Sequence, residues 1–181
     1  MADGTLKVGT ITTSSGSGTI TLGQSGETIT VPSGATVSGA MSNTPAFSAT
    51  ASGSQTIANA TNTILNFATE NYDTDSDYDG TNKFTASVAG KYFFRANVRY
   101  DSMYDQDEIQ LAFFKNGSQD STTVTFLRVG KDNISVAFGI TGVITLAVND
   151  YVQVNTYHTR GSSRTTTAAA TSFSGNRLIG A

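Results

Sequence analysis

The sequence predicts an all-β protein, a sandwich or jelly roll of many short strands, and three observations support this fold class. Runs of alternating apolar and polar residues recur, most clearly in YFFRANVRY at 92–100, where every second residue from Tyr92 to Tyr100 is apolar. Such alternation places one set of side chains on the buried face of a strand. Turn-forming residues interrupt the runs at intervals of about 8–12 residues. No longer window has the apolar periodicity of an amphipathic helix.

Further strands are predicted on the C-terminal side of 92–100. They cover 109–115, 122–129, 134–140, 142–147 and 151–157. The turn signals near them are Asn-Gly at 116–117, Gly-Lys-Asp-Asn at 130–133, Asn-Asp at 149–150 and Gly-Ser-Ser at 161–163. Gly, Asn and Asp favour turns because they adopt backbone conformations that other residues avoid. This spacing is typical of antiparallel strands joined by tight connections.

The composition divides the chain into two regions. Residues 1–42 contain no aromatic side chain, whereas residues 43–181 contain all seven Tyr and all ten Phe. Aromatic side chains supply much of the apolar area that a packed core requires. We therefore predict an N-terminal stem or arm at 1–42 and one folded domain at 43–181.

Charge and hydropathy exclude two classes of partner. The net charge is −3, and the 11 Lys and Arg residues form no basic block, whereas binding to nucleic acid requires clustered cations. No apolar run is long enough to cross a bilayer, so we expect no membrane insertion. The start MADGTLKV lacks the features of a secretory signal, and the chain has no Cys, so we expect assembly in the cytoplasm.

The N-terminal region repeats a short β-branched triplet. Thr-Ile-Thr occurs three times at nine-residue intervals, centred on Ile11, Ile20 and Ile29, with Ser and Gly between the copies. A strand this short buries too little apolar area to be stable alone. Two ordered structures would solve this problem, a three-fold stem made with other copies or an arm laid on a partner. A flexible Ser/Gly/Thr linker is the alternative that the same composition allows.

An acidic segment, DTDSDYDG at 73–80, is the densest polar cluster. Asp75, Asp77 and Asp79 stand at alternate positions before Gly80, as in the first half of a calcium-binding loop. An EF-hand is excluded because Ala86 stands where the bidentate Glu is required. The residues therefore allow a looser calcium site or a solvated acidic turn, and the protein requires no cofactor.

Residues for catalysis do not form a recognisable pattern. His158 is the only histidine, and no Gly-x-Ser-x-Gly motif or phosphate-binding loop accompanies it. A second acidic stretch at 101–108, which includes Asp107, could supply a glycosidase carboxylate together with Asp75 from the first. That chemistry requires two carboxyl groups about 5–10 Å apart in a cleft. We therefore expect no enzymatic activity.

Several short motifs, taken in order, resemble the complement globular-head (C1q-like) family. They are AFSA at 46–49, Phe67, Asn71, Tyr-Asp at 78–79, Phe-Thr at 84–85, GKYFF at 90–94, KNG at 115–117, NDYV at 149–152 and FSG at 173–175. Asn149 stands where the family usually has Gly, and the spacing from Phe67 to Asn71 is shorter than in the animal heads. No collagen-like Gly-x-y stalk precedes the domain.

The resemblance implies a fold and an assembly. Proteins of this family share a jelly roll of about ten strands, and a homotrimer, with tumour necrosis factor. Surplus aromatic residues are then expected at the three-fold interface, where obligate contacts are more apolar than ordinary surface. The residues assigned to this interface are Tyr92, Phe94, Phe113 and Phe173, with Phe93, Phe114 and Phe126 as further candidates.

The composition and short repeats of the N-terminal region are similar to those of stems and anchors of bacteriophage tail fibres. This similarity implies a homotrimeric virion protein, a tail-fibre head that attaches to a host surface glycan or protein. Ile11, Ile20 and Ile29 would then anchor the chain to other virion proteins of the tail or capsid. Loops that carry Asp73, Asp105, Arg160 and Arg164 would face the receptor. A capsid decoration protein that stabilises the shell is the alternative, followed by a small glycan depolymerase.

Overall fold

The computed structural model describes residue 11 and residues 19–22, 25–35 and 44–178. The chain divides into two units, Met1–Val37 and Ser38–Ala181. The described residues of the first unit form no strand or helix, and all of them are exposed. All strands of the described chain lie in the second unit.

The second unit contains twelve strands within its described residues. They are β1 (Ala46–Thr50), β2 (Thr56–Ile57), β3 (Thr63–Ile64), β4 (Thr69–Asp73), β5 (Lys83–Thr85), β6 (Gly90–Met103), β7 (Glu108–Lys115), β8 (Ser118–Arg128), β9 (Ile134–Leu146), β10 (Tyr151–His158), β11 (Arg164–Thr165) and β12 (Ser172–Arg177). The first sheet has the order β4-β1-β12-β6-β9. The second has the order β3-β10-β7-β8, with β5 also paired to β10, and β11 pairs with β2. All pairings are antiparallel.

The all-β prediction is confirmed, and the strand pattern at 92–100 is found within β6. Its side chains alternate strictly between buried and more exposed from Tyr92 to Tyr100. The two strands predicted at 134–140 and 142–147 are one continuous strand, β9. Gly142 does not end the strand, because it pairs with Phe94 of β6 in regular register.

Aromatic side chains fill the space between the two sheets. The ring of Phe47 stacks on Tyr78 at 5.0 Å and on Phe84 at 4.9 Å, and Phe173 meets it edge-on at 4.8 Å. Phe94 packs against Phe173 with ring centroids 5.9 Å apart. Ring pairs at these distances add to the stabilisation that burial alone provides.

This packing corrects the predicted trimer interface. Tyr92, Phe94, Phe113 and Phe173 are all fully buried within a single chain. They cannot contact a second copy, because both sheets of their own chain cover them. The sequence prediction of interface residues was therefore wrong at all four positions, whose side chains form the domain core.

The sandwich has two ends that the strand register defines. At the entry end, the start of β1 and the end of β12 lie side by side, since Ala46 pairs with Asn176. Residue Asn176 in turn pairs with Phe93, near the start of β6. At the distal end, β10 stops at His158, which pairs with Ile109 near the start of β7. The β6–β7, β8–β9 and β10–β11 connections all lie at this distal end.

Replacing Gly175 by Ala should destabilise the domain. A Cβ at this position would lie 2.7 Å from Cε1 of Phe94 and 3.1 Å from Cε1 of Phe47. Both rings belong to the aromatic core and have no room to move, so we expect a loss of about 1–3 kcal/mol in the free energy of unfolding. Urea unfolding followed by fluorescence measures this loss. Gly53→Ala is the matched control, because nothing lies within 4 Å of its added Cβ; equal losses in the two variants would contradict the packing argument.

Candidate functional site

The acidic loop at 73–79 is at the entry end, and its carboxylates organise the loop itself. Asp73 pairs with Phe47 at the start of β1, and its Oδ2 accepts a hydrogen bond of 2.7 Å from the Tyr78 N–H. Oδ1 of Asp79 accepts from three successive backbone N–H groups, those of Thr81, Asn82 and Lys83. Burial raises the pKa of Asp79, but the three N–H donors outweigh it and lower the pKa overall.

A pocket of about 350 Å³ lies beside this loop. Asp77 lines it and accepts hydrogen bonds from the backbone N–H and hydroxyl of Ser87, at 3.2 and 2.8 Å. Burial raises the pKa of Asp77, and the bonds from Ser87 oppose that rise. Asp75 accepts instead from the Thr74 hydroxyl at 2.6 Å. Within the described part of the chain, no three Asp, Glu, His or Cys residues form a group that could hold a metal ion. The geometry therefore gives the calcium hypothesis no support.

Four side chains from two loops and one strand meet at the distal end. This distal cluster consists of Tyr104, Asp107, Arg160 and Arg164. The guanidinium carbon of Arg160 lies 3.9 Å from the centre of the Tyr104 ring, and that of Arg164 lies 5.9 Å from it. Nε of Arg160 is 3.5 Å from Oδ2 of Asp107, an ionic contact without hydrogen-bond geometry. Cations placed over an aromatic face are attracted to it electrostatically.

Side-chain hydrogen bonds fix the loops that carry the distal cluster. The Arg160 N–H donates to Nδ1 of His158 at 3.3 Å, and Nε2 of the same ring lies 3.2 Å from the carbonyl oxygen of Ile57. Oδ2 of Asp107 accepts from the Tyr104 N–H at 2.8 Å. Oδ1 of Asn59 accepts from the Gly161 N–H at 2.6 Å. The cluster thus rests on side chains that hold its backbone in place.

The structure brings together three of the four predicted receptor-facing residues. Asp105 and Arg160 lie in distal connections and Arg164 begins β11 at the same end, whereas Asp73 lies at the opposite, entry end. The reason is the antiparallel pairing of β4 with β1, which returns the chain to the place where β1 begins. Sequence reasoning missed Tyr104, whose one signal was an aromatic residue in an otherwise polar turn.

The two acidic segments are too far apart within one chain to act as a glycosidase pair. The segment with Asp75 lies near the start of β10. Thr85 pairs with Tyr151, the first residue of β10, and the Thr85 N–H donates a hydrogen bond to the carbonyl oxygen of Asp77. Asp107 lies near the end of β10, where His158 pairs with Ile109. At about 3.3 Å per residue, the intervening strand is roughly 23 Å long, beyond the separation that either glycosidase mechanism requires.

An apolar pair lies on the outer face of the first sheet. Phe93 of β6 and Val143 of β9 are direct cross-strand partners, and they are 38% and 49% exposed. We call this pair the sheet-face patch. Phe126 on the edge strand β8 is more exposed still, at 69%. Neighbouring exposed apolar residues of this kind often mark an interaction surface.

The described apolar residues of the first unit are exposed as well. Ile11, Ile20 and Ile29, which the sequence analysis assigned to anchoring, are all exposed, as are Leu22 and Val31. Burial of such side chains is worth roughly 1.5–3 kcal/mol each.

No helix that could span a membrane is found among the described residues.

Comparison with known proteins identifies the domain. A family model described as the C1q domain matches residues 46–178. The globular domain of zebrafish complement 1qA is 19% identical over 72% of this chain and 94% of its own, with a TM-score of 0.52. Murine APRIL is 9% identical over 74% of this chain and 98% of its own, with a TM-score of 0.56. Eiger TNF from S. frugiperda is 10% identical over 75% and 92%, with a TM-score of 0.52. No curated protein matches the sequence significantly.

The buried histidine predicts how stability depends on pH. Burial lowers the pKa of His158 below its ordinary value of 6.5. Below pH about 6.5 the unfolded chain binds a proton that the folded chain does not, so the free energy of unfolding should fall, by at most about 1.4 kcal/mol per pH unit. Thermal unfolding at pH 7.5 and pH 5.5 measures the effect.

The control for this titration is His158→Gln, because the Gln side chain does not ionise in that pH range. Its melting temperature should fall less between the two pH values than that of the natural chain. Burial raises the pKa of Asp77, which has the opposite effect on stability at low pH. Asp77 is present in both proteins, so its contribution to the pH dependence cancels in the comparison. Equal pH dependence in the two proteins would show that His158 is not held neutral.

Proposed function

Because this chain belongs to the C1q domain family, we propose that it is a homotrimeric structural protein of a bacteriophage particle, whose jelly-roll head contacts the host surface. The observation that carries the proposal is the contrast between the two units. The head is a completed sandwich with its own core, whereas the described apolar residues of 11–35 are all exposed. Such a segment gains stability only by burial on another protein or on copies of itself.

The sheet-face patch supports the homotrimer. The four residues that the sequence assigned to the interface are buried in the core. Phe93 and Val143 are instead exposed apolar residues that a neighbouring copy can contact. Closed symmetric assemblies bury such surfaces by repeating one contact around an axis. Phe126 on β8 of the second sheet is a further exposed apolar residue.

The N-terminal segment attaches the trimer to the particle in this proposal. Ile11, Ile20 and Ile29 are spaced at nine residues, so three copies present a regular series of β-branched groups. They pair with one another as a stem or add strands to a tail protein. The head then projects from the virion, and its loops perform the recognition. No catalytic step is part of the proposal.

A capsid decoration protein is the second candidate. The exposed Thr-Ile-Thr triplets favour it, because short β-branched segments can add strands to the sheet edges of shell proteins. In that case the trimer would stabilise the shell. Both candidates place the chain in the virion after assembly in the host cytoplasm, and they differ in copy number.

Cryo-electron microscopy of purified particles tests the proposal directly. We expect a small number of trimers on the tail if the protein is a tail-fibre head. Trimers arrayed over the capsid lattice would establish the decoration function instead. Particles that contain no copy of the chain would overturn both.

Replacing Phe93 by Asp should prevent assembly. Three copies of a charge on the sheet-face patch would be buried without partners, which costs several kcal/mol. Sedimentation velocity at micromolar concentration should show a trimer for the natural chain and a monomer for Phe93→Asp. Val148→Asp is the matched control, because Val148 is also exposed but lies in the β9–β10 connection, away from the patch. A natural chain that sediments as a monomer would refute the assembly.

Replacing Ile11, Ile20 and Ile29 together by Ser should release the protein from particles. The change removes apolar area from the anchor and leaves the head untouched, so trimers should form but no longer co-sediment with virions. Thr19→Ser, Thr28→Ser and Thr30→Ser in one chain form the control, since they keep the isoleucines. Full co-sedimentation of the isoleucine variant would exclude these residues from attachment.

A further inference from the structure

Arg164 is the member of the distal cluster whose charge is not compensated. The structure gives it no carboxylate partner among the described residues, whereas Arg160 is paired with Asp107. Its Nη1 donates to the carbonyl oxygen of Ser163 at 3.1 Å, and its Nε is buried without a hydrogen bond. A guanidinium that is partly dehydrated and held in place binds an oxyanion more strongly than one that is fully hydrated on a mobile side chain.

Tyr104 and Arg160 form the support for this group. The Arg160 guanidinium packs at 3.9 Å on the Tyr104 ring, and Asp107 balances its charge. Arg164 approaches the same ring at 5.9 Å. The net positive charge of the cluster therefore lies on Arg164, which is partly exposed.

Two residues with free hydroxyl groups directly precede the arginine in the chain. Ser162 and Ser163 are exposed, and neither side chain forms a hydrogen bond with any described residue. Their loop is held by Asn59 through the Gly161 N–H, at 2.6 Å. A guanidinium and two free hydroxyls carried by one short segment suit a sugar that has one carboxylate and several hydroxyls. Because the loop is already held, little ordering is required on binding.

Nearby carboxylates restrict which anion is accepted. The Asp105 N–H donates to Oδ1 of Asp132 at 3.0 Å, so two negative side chains lie in connections next to the cluster. They repel a densely charged polyanion over distances of about 10 Å, whereas a single carboxylate can bind at Arg164 beyond them. This arrangement disfavours nucleic acid and favours a sparsely charged polymer.

From these contacts we infer that the distal end of the head is a binding site for an acidic saccharide. Arg164 binds the sugar carboxylate, Ser162 and Ser163 contact the hydroxyls, and Tyr104 with Arg160 positions Arg164. The inference rests on the proposed function, which places the head against a host surface, and it names the class of molecule that the head contacts there. Three such sites on a trimer would add their weak affinities through avidity.

Saturation-transfer NMR on the full chain tests this site with a matched pair of probes. The first probe is xylotriose carrying one glucuronic acid, and the second is unmodified xylotriose. We expect binding of the first only, and binding about tenfold weaker or more in Arg164→Gln, as the loss of a charge-assisted contact predicts. Arg164→Lys should recover part of the affinity, because it keeps the charge but not the fork. Lys131→Gln removes another exposed cation of the distal end and should leave the affinity within about twofold.

Other results would overturn the inference. These are no binding of the acidic probe, equal binding of both probes, an unchanged affinity in Arg164→Gln, or inorganic phosphate bound as tightly as the acidic sugar. Melting temperatures of all variants confirm that each is folded. If the chain is present on particles but does not bind the acidic probe, the saccharide site is wrong and the virion proposal stands. If it binds the probe but is absent from particles, the virion proposal is wrong and the site stands.

Discussion

The whole domain depends on the contact of Phe47 with the aromatic rings around it. Phe47 lies on β1 of the first sheet, and its ring is held between Tyr78 and Phe84, while Phe173 from β12 meets its edge. Phe84 belongs to β5, which pairs with β10 of the second sheet. One ring therefore joins the two layers of the sandwich. The chain has no cysteine, so the covalent link that many small domains use between sheets is replaced by stacked aromatic rings.

The same core explains which parts of the fold the sequence could predict. Alternation in YFFRANVRY assigns Tyr92 and Phe94 to one face and Phe93 to the other, and the structure has this arrangement. Alternation does not reveal how much apolar area a core needs. Counting aromatic residues as a surplus therefore assigned Tyr92, Phe94, Phe113 and Phe173 to a subunit interface, although the core uses all four. Phe93 is the residue for which the period-two pattern alone indicated an outward position.

The distal cluster could be predicted only in part, for a different physical reason. Arg160 and Arg164 flank the turn signal at 161–163, so the sequence placed both of them next to a turn. Their stacking on Tyr104 joins residues about 60 positions apart through the antiparallel return of β7 and β10. Which end of the sandwich a loop occupies is likewise decided by the order of strands. Asp73 and Asp105 belong to similar acidic turns in the sequence, yet the pairing of β4 with β1 separates them by the length of the sandwich.

The two ends consequently differ in what their polar groups are free to do. At the entry end, Asp73, Asp77 and Asp79 satisfy backbone N–H groups of their own loop and its neighbours, so their hydrogen-bonding capacity is used within the fold. At the distal end, the buried ring of His158 satisfies the backbone beneath Arg160, and the Tyr100 ring packs against it at 5.7 Å. Side chains of the core thus fix the distal loops, and the outer polar groups of those loops remain available. A rigid domain that uses its carboxylates at one end and leaves a guanidinium and hydroxyls at the other is suited to contact a ligand with its distal end.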